Sequence, residues 1–130
     1  MAEMSDYLEN ALLNATLNNT AFTTVATPYI SLHTADPTDA GTGTEVSGGS
    51  YARTSASFAT ASGTGGSVAT DADITFPTAT ASWGTVTHIG IWNASSAGDL
   101  LYHTALDSSK TIDSGDIFKI TSGNLTVTLA

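Results

Sequence analysis

The sequence predicts a mainly β protein, an antiparallel β-sandwich or a jelly-roll-like barrel that carries a short N-terminal α-helix. Between residues 29 and 129, short runs rich in β-branched residues alternate with Gly, Asp and Ser turns. One segment before residue 28 has the apolar spacing of a helix. We therefore expect a single compact domain in which residues 1–27 form a helical arm and residues 28–130 form the β-sandwich.

The helix is predicted over residues 5–17. Ser5 or Asp6 can cap it, and Asp6 with Glu9 has the spacing of a capping box. An apolar stripe at positions i, i+3, i+4 and i+7 consists of Leu8, Ala11, Leu12 and Ala15. Residues 18–20 (NNT) end the helix. Because so short a helix is marginal by itself, it must pack on its own sandwich or on a neighbouring subunit.

The strands follow as short segments bounded by turns. They are predicted at residues 29–33, 51–58, 68–76 (as one or two strands), 85–92, 100–105, 110–112, 116–120 and 125–129. Residues 85–92 have apolar side chains on both faces, which is typical of a central strand, and residues 100–105 return as its hairpin partner. Residues 36–39 (DPTD) are a turn. The Gly- and Thr-rich residues 40–50 are predicted to be a long mobile loop, either functional or disordered until bound.

Composition and charge exclude several classes of partner. The chain has 12 acidic and 3 basic residues, a formal net charge of −9, and no cysteine. Nucleic-acid binding depends on clustered Lys and Arg, whereas Arg53, Lys110 and Lys119 are scattered, so we expect no nucleic-acid partner. Acidic membrane surfaces are disfavoured for the same reason, and no apolar run approaches the ~20 residues of a membrane span.

The residues that could carry chemistry are few. His33, His88 and His103 lack the spacing of a metal site, although His88 and His103 lie on adjacent predicted strands and can face each other. The carboxylate pairs, which could bind calcium, are better explained as turn residues; they are Asp36 with Asp39, Asp71 with Asp73, and Asp113 with Asp116. No serine lies in a nucleophile elbow. We expect no catalytic residues, no metal and no cofactor.

Three composite stretches give the sequence a recognisable pattern. They are residues 7–10 (YLEN) with 19–22 (NTAF), residues 32–37 (LHTADP) with 45–53 (EVSGGSYAR), and residues 86–92 (VTHIGIW) with 116–118 (DIF) and 125–127 (LTV). With these stretches the chain resembles a family of small tailed-bacteriophage virion structural proteins, which are described as tail-fibre-like or as capsid decoration or cement proteins. The resemblance covers nearly the whole chain.

The resemblance implies a protein that works by attachment. We expect a capsid cement protein, synthesised in the host cytoplasm, that binds the outer capsid surface as a homo-oligomer, specifically a trimer, and stabilises the shell. Its partners are then its own copies and the major capsid protein. The residues expected to make the contacts of the arm are Tyr7, Leu8, Leu12, Leu13 and Phe22, and packing within the chain is the alternative for each of them.

Three other functions remain open at this point. A tail-fibre or tail-associated protein involved in host adsorption differs from a cement protein in having only a few copies per particle. A carbohydrate-binding module would present Trp83 or Tyr102 in a loop. An enzyme is the least favoured class, because no segment collects the residues that catalysis needs.

Overall fold

The computed structural model describes residues 2–63 and 65–129 and confirms the predicted mainly β fold. Its elements are β1 (Glu3–Met4), α1 (Asp6–Leu17), β2 (Tyr29–His33), β3 (Thr54–Ser55), β4 (Ser67–Ala69), β5 (Ile74–Thr75), β6 (Gly84–Trp92), β7 (Leu100–Ile112), β8 (Lys119–Ile120) and β9 (Thr126–Thr128). No helix among these residues has the length and apolarity that crossing a membrane requires.

The strands form one five-stranded sheet, in the order β1-β7-β6-β2-β3, and two short ladders, β4-β9 and β5-β8. Every pairing is antiparallel. The prediction of a central strand at residues 85–92 is confirmed, since β6 lies between β2 and β7. One hydrophobic core joins the sheet to both ladders, with Ile30 and Ile89 from the sheet and Ile74 and Val127 from the ladders.

Close packing in the centre of the sheet depends on Gly90. A Cβ atom at this position would lie 2.7 Å from Ser31 Oγ and 2.9 Å from Trp92 Nε1. Because glycine leaves this space open, the Trp92 indole N–H donates a hydrogen bond to Ser31 Oγ over 2.7 Å. Trp92 is therefore held inside the fold, as its apolar strand pattern predicts.

The helix matches its prediction closely. Ser5 is the N-cap, and the stripe of Leu8, Ala11, Leu12 and Ala15 contains the least exposed residues of α1. The helix ends where predicted, because the Asn18 and Thr20 amides both donate to the Asn14 carbonyl. The sequence gives no sign of β1, a two-residue strand that pairs with β7.

Four of the predicted strands have clearly different bounds in the structure. The strand predicted at 51–58 is reduced to Thr54–Ser55, which pairs with β2. The chain then leaves β2, and Phe58 forms an isolated bridge to Thr70, directly after β4. The strands predicted at 100–105 and 110–112 are one continuous β7. It bulges between the pairs His88–Ala105 and Val86–Lys110 instead of turning. The strand predicted at 116–120 is limited to Lys119–Ile120.

The segment 36–50 contains the predicted turn at residues 36–39, followed by a loop that hydrogen bonds hold against β2. The turn is confirmed, with the Thr38 amide donating to the Asp36 carboxylate over 2.9 Å. The loop is anchored to β2, since the Val46 amide donates to the Leu32 carbonyl over 2.9 Å and the Val46 side chain is buried. Because these contacts fix its end, the prediction of a long mobile loop is wrong there.

Candidate interaction surface

Ser5 fastens the N-terminal arm to the body of the same chain. Its amide donates to the Leu101 carbonyl over 2.9 Å, and its hydroxyl donates to the Leu100 carbonyl. The same hydroxyl accepts a hydrogen bond from the Leu8 amide over 3.2 Å, so Ser5 caps α1 and joins it to β7 at once. These bonds fix the direction in which the helix leaves the sheet.

A second connection between the arm and the body is a group of carboxylates around His103. This histidine, on β7, is only 5% exposed. Its Nε2 atom lies 2.8 Å from Asp39 Oδ1 and 3.9 Å from Glu3 Oε2, and its Nδ1 atom lies 3.4 Å from Asp36 Oδ1. The group therefore joins β1, the 36–39 turn and β7. Glu3, Asp39 and His103 also offer ligand atoms that lie within 4.8 Å of one another, a set that could hold a metal ion.

The five residues predicted to make arm contacts fall into two groups, one packed against the core of the same chain and one exposed to solvent. Leu8 is buried, and Leu12 and Phe22 are partly buried and pack against the core of the same chain. Tyr7 and Leu13 are exposed, Leu13 by 55% of its surface. The arm thus uses one side of α1 to pack on its own body and leaves the other side uncovered.

The uncovered side of α1 contains Leu17, an apolar residue that the sequence reasoning did not select. Leu17 is 80% exposed and lies one turn beyond Leu13. Exposed residues at the spacing of adjacent turns extend this side to the start of the helix, and together they are named the outer helix face: Asp6, Glu9, Asn10, Leu13 and Leu17. The i, i+4 spacing of the two leucines, off the buried stripe, is the sequence signal that could have identified Leu17.

A largely buried polar network joins the connection between β2 and β3 to the turn between β6 and β7. The Arg53 guanidinium donates to both oxygens of Glu45 over 2.9 Å and lies 3.8 Å from the centre of the Trp92 ring. It also donates to the carbonyls of Ala94 and Ala97, which fixes the β6–β7 turn. Arg53 is therefore engaged in structure and is not an exposed cation.

Tyr51 completes this network at Glu45. Its hydroxyl donates to Glu45 Oε2 over 2.7 Å and accepts a hydrogen bond from the Leu32 amide over 3.0 Å. Burial by itself would raise the pKa of Glu45, but the hydrogen bonds from Arg53 and Tyr51 bring the pKa below its ordinary value. Burial and the Glu45 carboxylate raise the pKa of Tyr51. The carboxylate therefore stays ionised and the phenol protonated.

The histidines do not form the cluster that the sequence allowed. His88 lies opposite Ala105, and Gly90 lies opposite His103, so His88 and His103 are diagonal neighbours that line one pocket and are not a directly opposed pair. The bulge in β7 does not alter this pairing, because it begins after Ala105. His33, on β2, is instead the histidine opposite His88.

Ser31 and His33 form a serine–histidine contact inside the sheet. The Ser31 hydroxyl lies 2.7 Å from His33 Nε2, and both residues are fully buried. Burial lowers the pKa of His33, so its neutral form is favoured. A nucleophile has to meet its substrate, which this pair cannot do in the folded chain, so its role is structural.

Trp83 is also part of the core. It is only 4% exposed, and its indole N–H donates to the Gly49 carbonyl over 2.9 Å. A sugar-binding aromatic has to present a face to solvent, so the expectation that Trp83 could serve a carbohydrate-binding module is wrong. Tyr102 is half-buried and packs against the core.

The comparison with known proteins agrees with the resemblance found in the sequence. A family model described as Podophage GP4 fiber I protein gp80 matches residues 3–128, nearly the whole chain. No curated protein matches the chain.

Proposed function

Because the chain belongs to the family of Podophage GP4 fiber I protein gp80, and is thus a structural protein of a tailed-phage virion, we propose that it acts as a capsid cement protein. In this proposal it binds the outer capsid surface as a homotrimer, contacts the major capsid protein and stabilises the shell. It transforms no substrate. Its activity is the attachment of one protein surface to another.

The observation that carries this proposal is the outer helix face. Leu13 and Leu17 are exposed on a helix whose opposite side is fixed to the core by Leu8 and by the hydrogen bonds of Ser5. An exposed apolar surface on a rigid support is typical of a protein interaction site. Little order has to be gained when such a surface is covered, so more of the contact energy is available for binding.

The composition of the remaining surface supports the same role. Charged residues make up 12% of the chain, against a usual value of about 25%, and Ser and Thr take their place. When a partner covers Ser or Thr, the side chain loses less conformational entropy than a covered Lys, Glu or Arg does. A trimer that presents three such surfaces binds with a high effective concentration, so that individually weak contacts combine into stable attachment.

A second candidate function is a fibre or another tail-associated component that takes part in host adsorption. The description of the matching family, which names a fiber protein, favours this candidate. The compact sandwich favours the shell, because the described residues form one core and contain no extended coiled coil or repeat. The two candidates share the same mode of action and differ in where the protein attaches.

The number of copies per particle separates the two functions. Quantitative mass spectrometry of purified virions, with the major capsid protein as the internal standard, gives this number directly. A cement protein is expected at hundreds of copies per particle. A few copies, in a fixed ratio to a tail protein, would contradict the cement function and favour the fibre.

Variants of the outer helix face test the surface that the proposal depends on. The double variant Leu13→Ser with Leu17→Ser should fold normally, because both side chains are exposed, and should lower the occupancy of purified shells. Leu129→Ser is the matched control, since Leu129 is an exposed apolar residue outside the arm. Unchanged occupancy for the double variant would remove the helix from the attachment mechanism.

A further inference from the structure

Three carboxylates surround the imidazole of one buried histidine at the junction of the arm and the body. His103 is 5% exposed, whereas the side chains of Glu3, Asp36 and Asp39 are exposed by 50% or more. Asp39 and Glu3 approach the Nε2 atom of the ring, over 2.8 Å and 3.9 Å. Asp36 approaches the Nδ1 atom over 3.4 Å. Both nitrogens of a nearly inaccessible ring therefore face acidic oxygens that solvent can reach.

Within the described chain, the carboxylates of this group form an ion pair with no basic residue except His103. The ion pairs of Arg53 and Lys119 are made with other acids. Even when His103 is protonated, three negative charges and one positive charge leave the group at −2. Like charges held this close disfavour each other, so a cation that enters the group lowers its electrostatic energy.

The donor atoms of the group fit a zinc ion better than calcium or magnesium. Zinc binds imidazole nitrogen and carboxylate oxygen at about 2.0–2.2 Å, so the ligand atoms of a tetrahedral site lie about 3.3–3.6 Å apart. The ligand atoms of Glu3, Asp39 and His103 lie within 4.8 Å of one another, and the two distances from Nε2 fall on either side of that range. Calcium and magnesium take oxygen ligands and have no use for the imidazole.

Asp36 and a neighbouring cavity supply two further features of such a site. A metal-binding histidine usually donates the N–H of its second ring nitrogen to a carboxylate, which fixes the orientation of the ring. The Asp36 oxygen beside Nδ1 is in place for this bond, and the Thr38 amide holds the same oxygen over 2.9 Å. Glu3, Asp36 and His103 also line a cavity of about 370 Å³, which gives an ion a route from solvent.

From this arrangement we propose that the chain binds one zinc ion through Glu3, Asp39 and His103, with water at the fourth position. The ligands lie on β1, in the 36–39 turn and on β7, so the ion holds the start of the arm on the body. The expectation that the chain binds no metal was based on short-range spacing, whereas Asp39 and His103 are 64 residues apart. The proposal does not depend on where in the virion the protein attaches.

Calorimetric titration of the full chain with zinc chloride tests the site. The protein is purified without a polyhistidine tag, freed of metal with EDTA and titrated at neutral pH. We expect one zinc ion per chain, and a dissociation constant that rises at least about tenfold in Glu3→Gln and in Asp39→Asn, since each loses a ligand charge. Glu9→Gln and Asp71→Asn are the matched controls, because they remove the same charges from exposed acids outside the group, and they should bind within about threefold of wild type.

Histidine variants identify the ring that binds the ion. His103→Gln should abolish stoichiometric binding, with far-ultraviolet circular dichroism as the check that this variant folds. His88→Gln is the control, since His88 is half-buried in the lining of the same cavity, and its affinity should stay within about threefold of wild type.

Hydrogen exchange tests whether the ion holds the arm. Zinc should slow exchange of the Ser5 and Leu8 amides of the wild type at least about threefold, because it binds the folded junction only. Glu3→Gln should abolish this slowing while it leaves exchange of the metal-free chain almost unchanged, since Glu3 is exposed and lies 3.9 Å from the ring.

Glu3→Gln decides the outcome, because its exposed position leaves the fold intact. No stoichiometric binding of zinc by the wild type, or normal binding by Glu3→Gln, would overturn the site. Equal affinity for calcium would also overturn it, because the histidine would then be no ligand. Loss of binding in His88→Gln with normal binding in His103→Gln would reject the proposed ligands.

Discussion

His103 Nε2 lies 2.8 Å from Asp39 Oδ1, and this contact joins the longest strand of the sheet to the turn that follows β2. The Asp6 amide donates to the carbonyl of the same aspartate over 3.0 Å, so Asp39 supports the start of α1 as well. The orientation of the outer helix face therefore depends on a residue outside the arm.

Asp39→Asn should loosen the docking of the arm. The variant removes the carboxylate from a buried histidine but keeps the backbone bond to Asp6, so we expect a loss of about 1–2 kcal/mol in the stability of α1 docking. Hydrogen exchange of the Ser5 and Leu8 amides measures this loss. Glu3→Gln is the control, because Glu3 is more exposed and lies 3.9 Å away, and an equal effect of both variants would contradict the special role of Asp39.

Arg53→Met should destabilise the whole chain, because it leaves the Glu45 carboxylate without its guanidinium. Arg53 is 8% exposed and Glu45 26%, so we expect a cost of about 2–4 kcal/mol, somewhat below that of breaking a fully buried pair. Urea denaturation measures it. The double variant with Glu45→Gln should recover part of the loss, and strictly additive effects would show that the two residues are not coupled.

The stability of the chain should fall between pH 7 and pH 5, because His33 is buried in its neutral form. Its folded pKa lies below the ordinary value of 6.5, so the unfolded chain binds more protons below that pH. The contribution of His33 is complete above pH 6.5 and decreases as the pH falls towards the folded pKa, with a slope of at most about 1.4 kcal/mol per pH unit.

His33→Gln tests the origin of this slope. The variant is expected to be less stable at pH 8, where a buried side chain has been exchanged, but to lose less stability between pH 7 and pH 5. Glu45 titrates below this window, since its pKa is held under the ordinary 4.5. Equal slopes in urea denaturation of the wild type and the variant would assign the pH dependence to other groups.

Replacing a leucine by alanine should cost much more stability on the buried side of α1 than on its exposed side. Leu8→Ala removes a buried side chain and should lower the free energy of unfolding by about 2–5 kcal/mol. Leu13→Ala changes an exposed residue and should alter it by less than about 0.5 kcal/mol. Thermal denaturation of both variants checks this difference, and a large loss for Leu13→Ala would mean that the outer face already serves the stability of the single chain.

Periodicity predicted the elements whose side chains alternate between core and solvent. The stripe from Leu8 to Ala15 identified the buried side of α1, and the two apolar faces of residues 85–92 identified β6 as central. The same rule assigned Trp92 to the core. In each case burial requires apolar residues at a spacing that the sequence displays.

The remaining features depend on contacts that no local pattern encodes. His103 and Asp39 are 64 residues apart, and their proximity follows from the position of a turn beside β7. β1 exists because the edge of β7 offers hydrogen-bonding groups there, not because of its own two residues. The bulge in β7 replaces a turn that polar residues at 107–109 would suggest, since pairing with β6 continues on both sides.

The location of the protein in images of the intact particle distinguishes attachment to the shell from attachment to the tail. Electron cryomicroscopy of wild-type virions, with particles that lack the protein as the reference, identifies the density that it contributes. We expect density of this size over the outer shell, at three-fold or quasi-three-fold positions between capsomers, because the symmetry of a homotrimer matches these positions. Density confined to the tail, with bare capsomer junctions, would contradict this expectation.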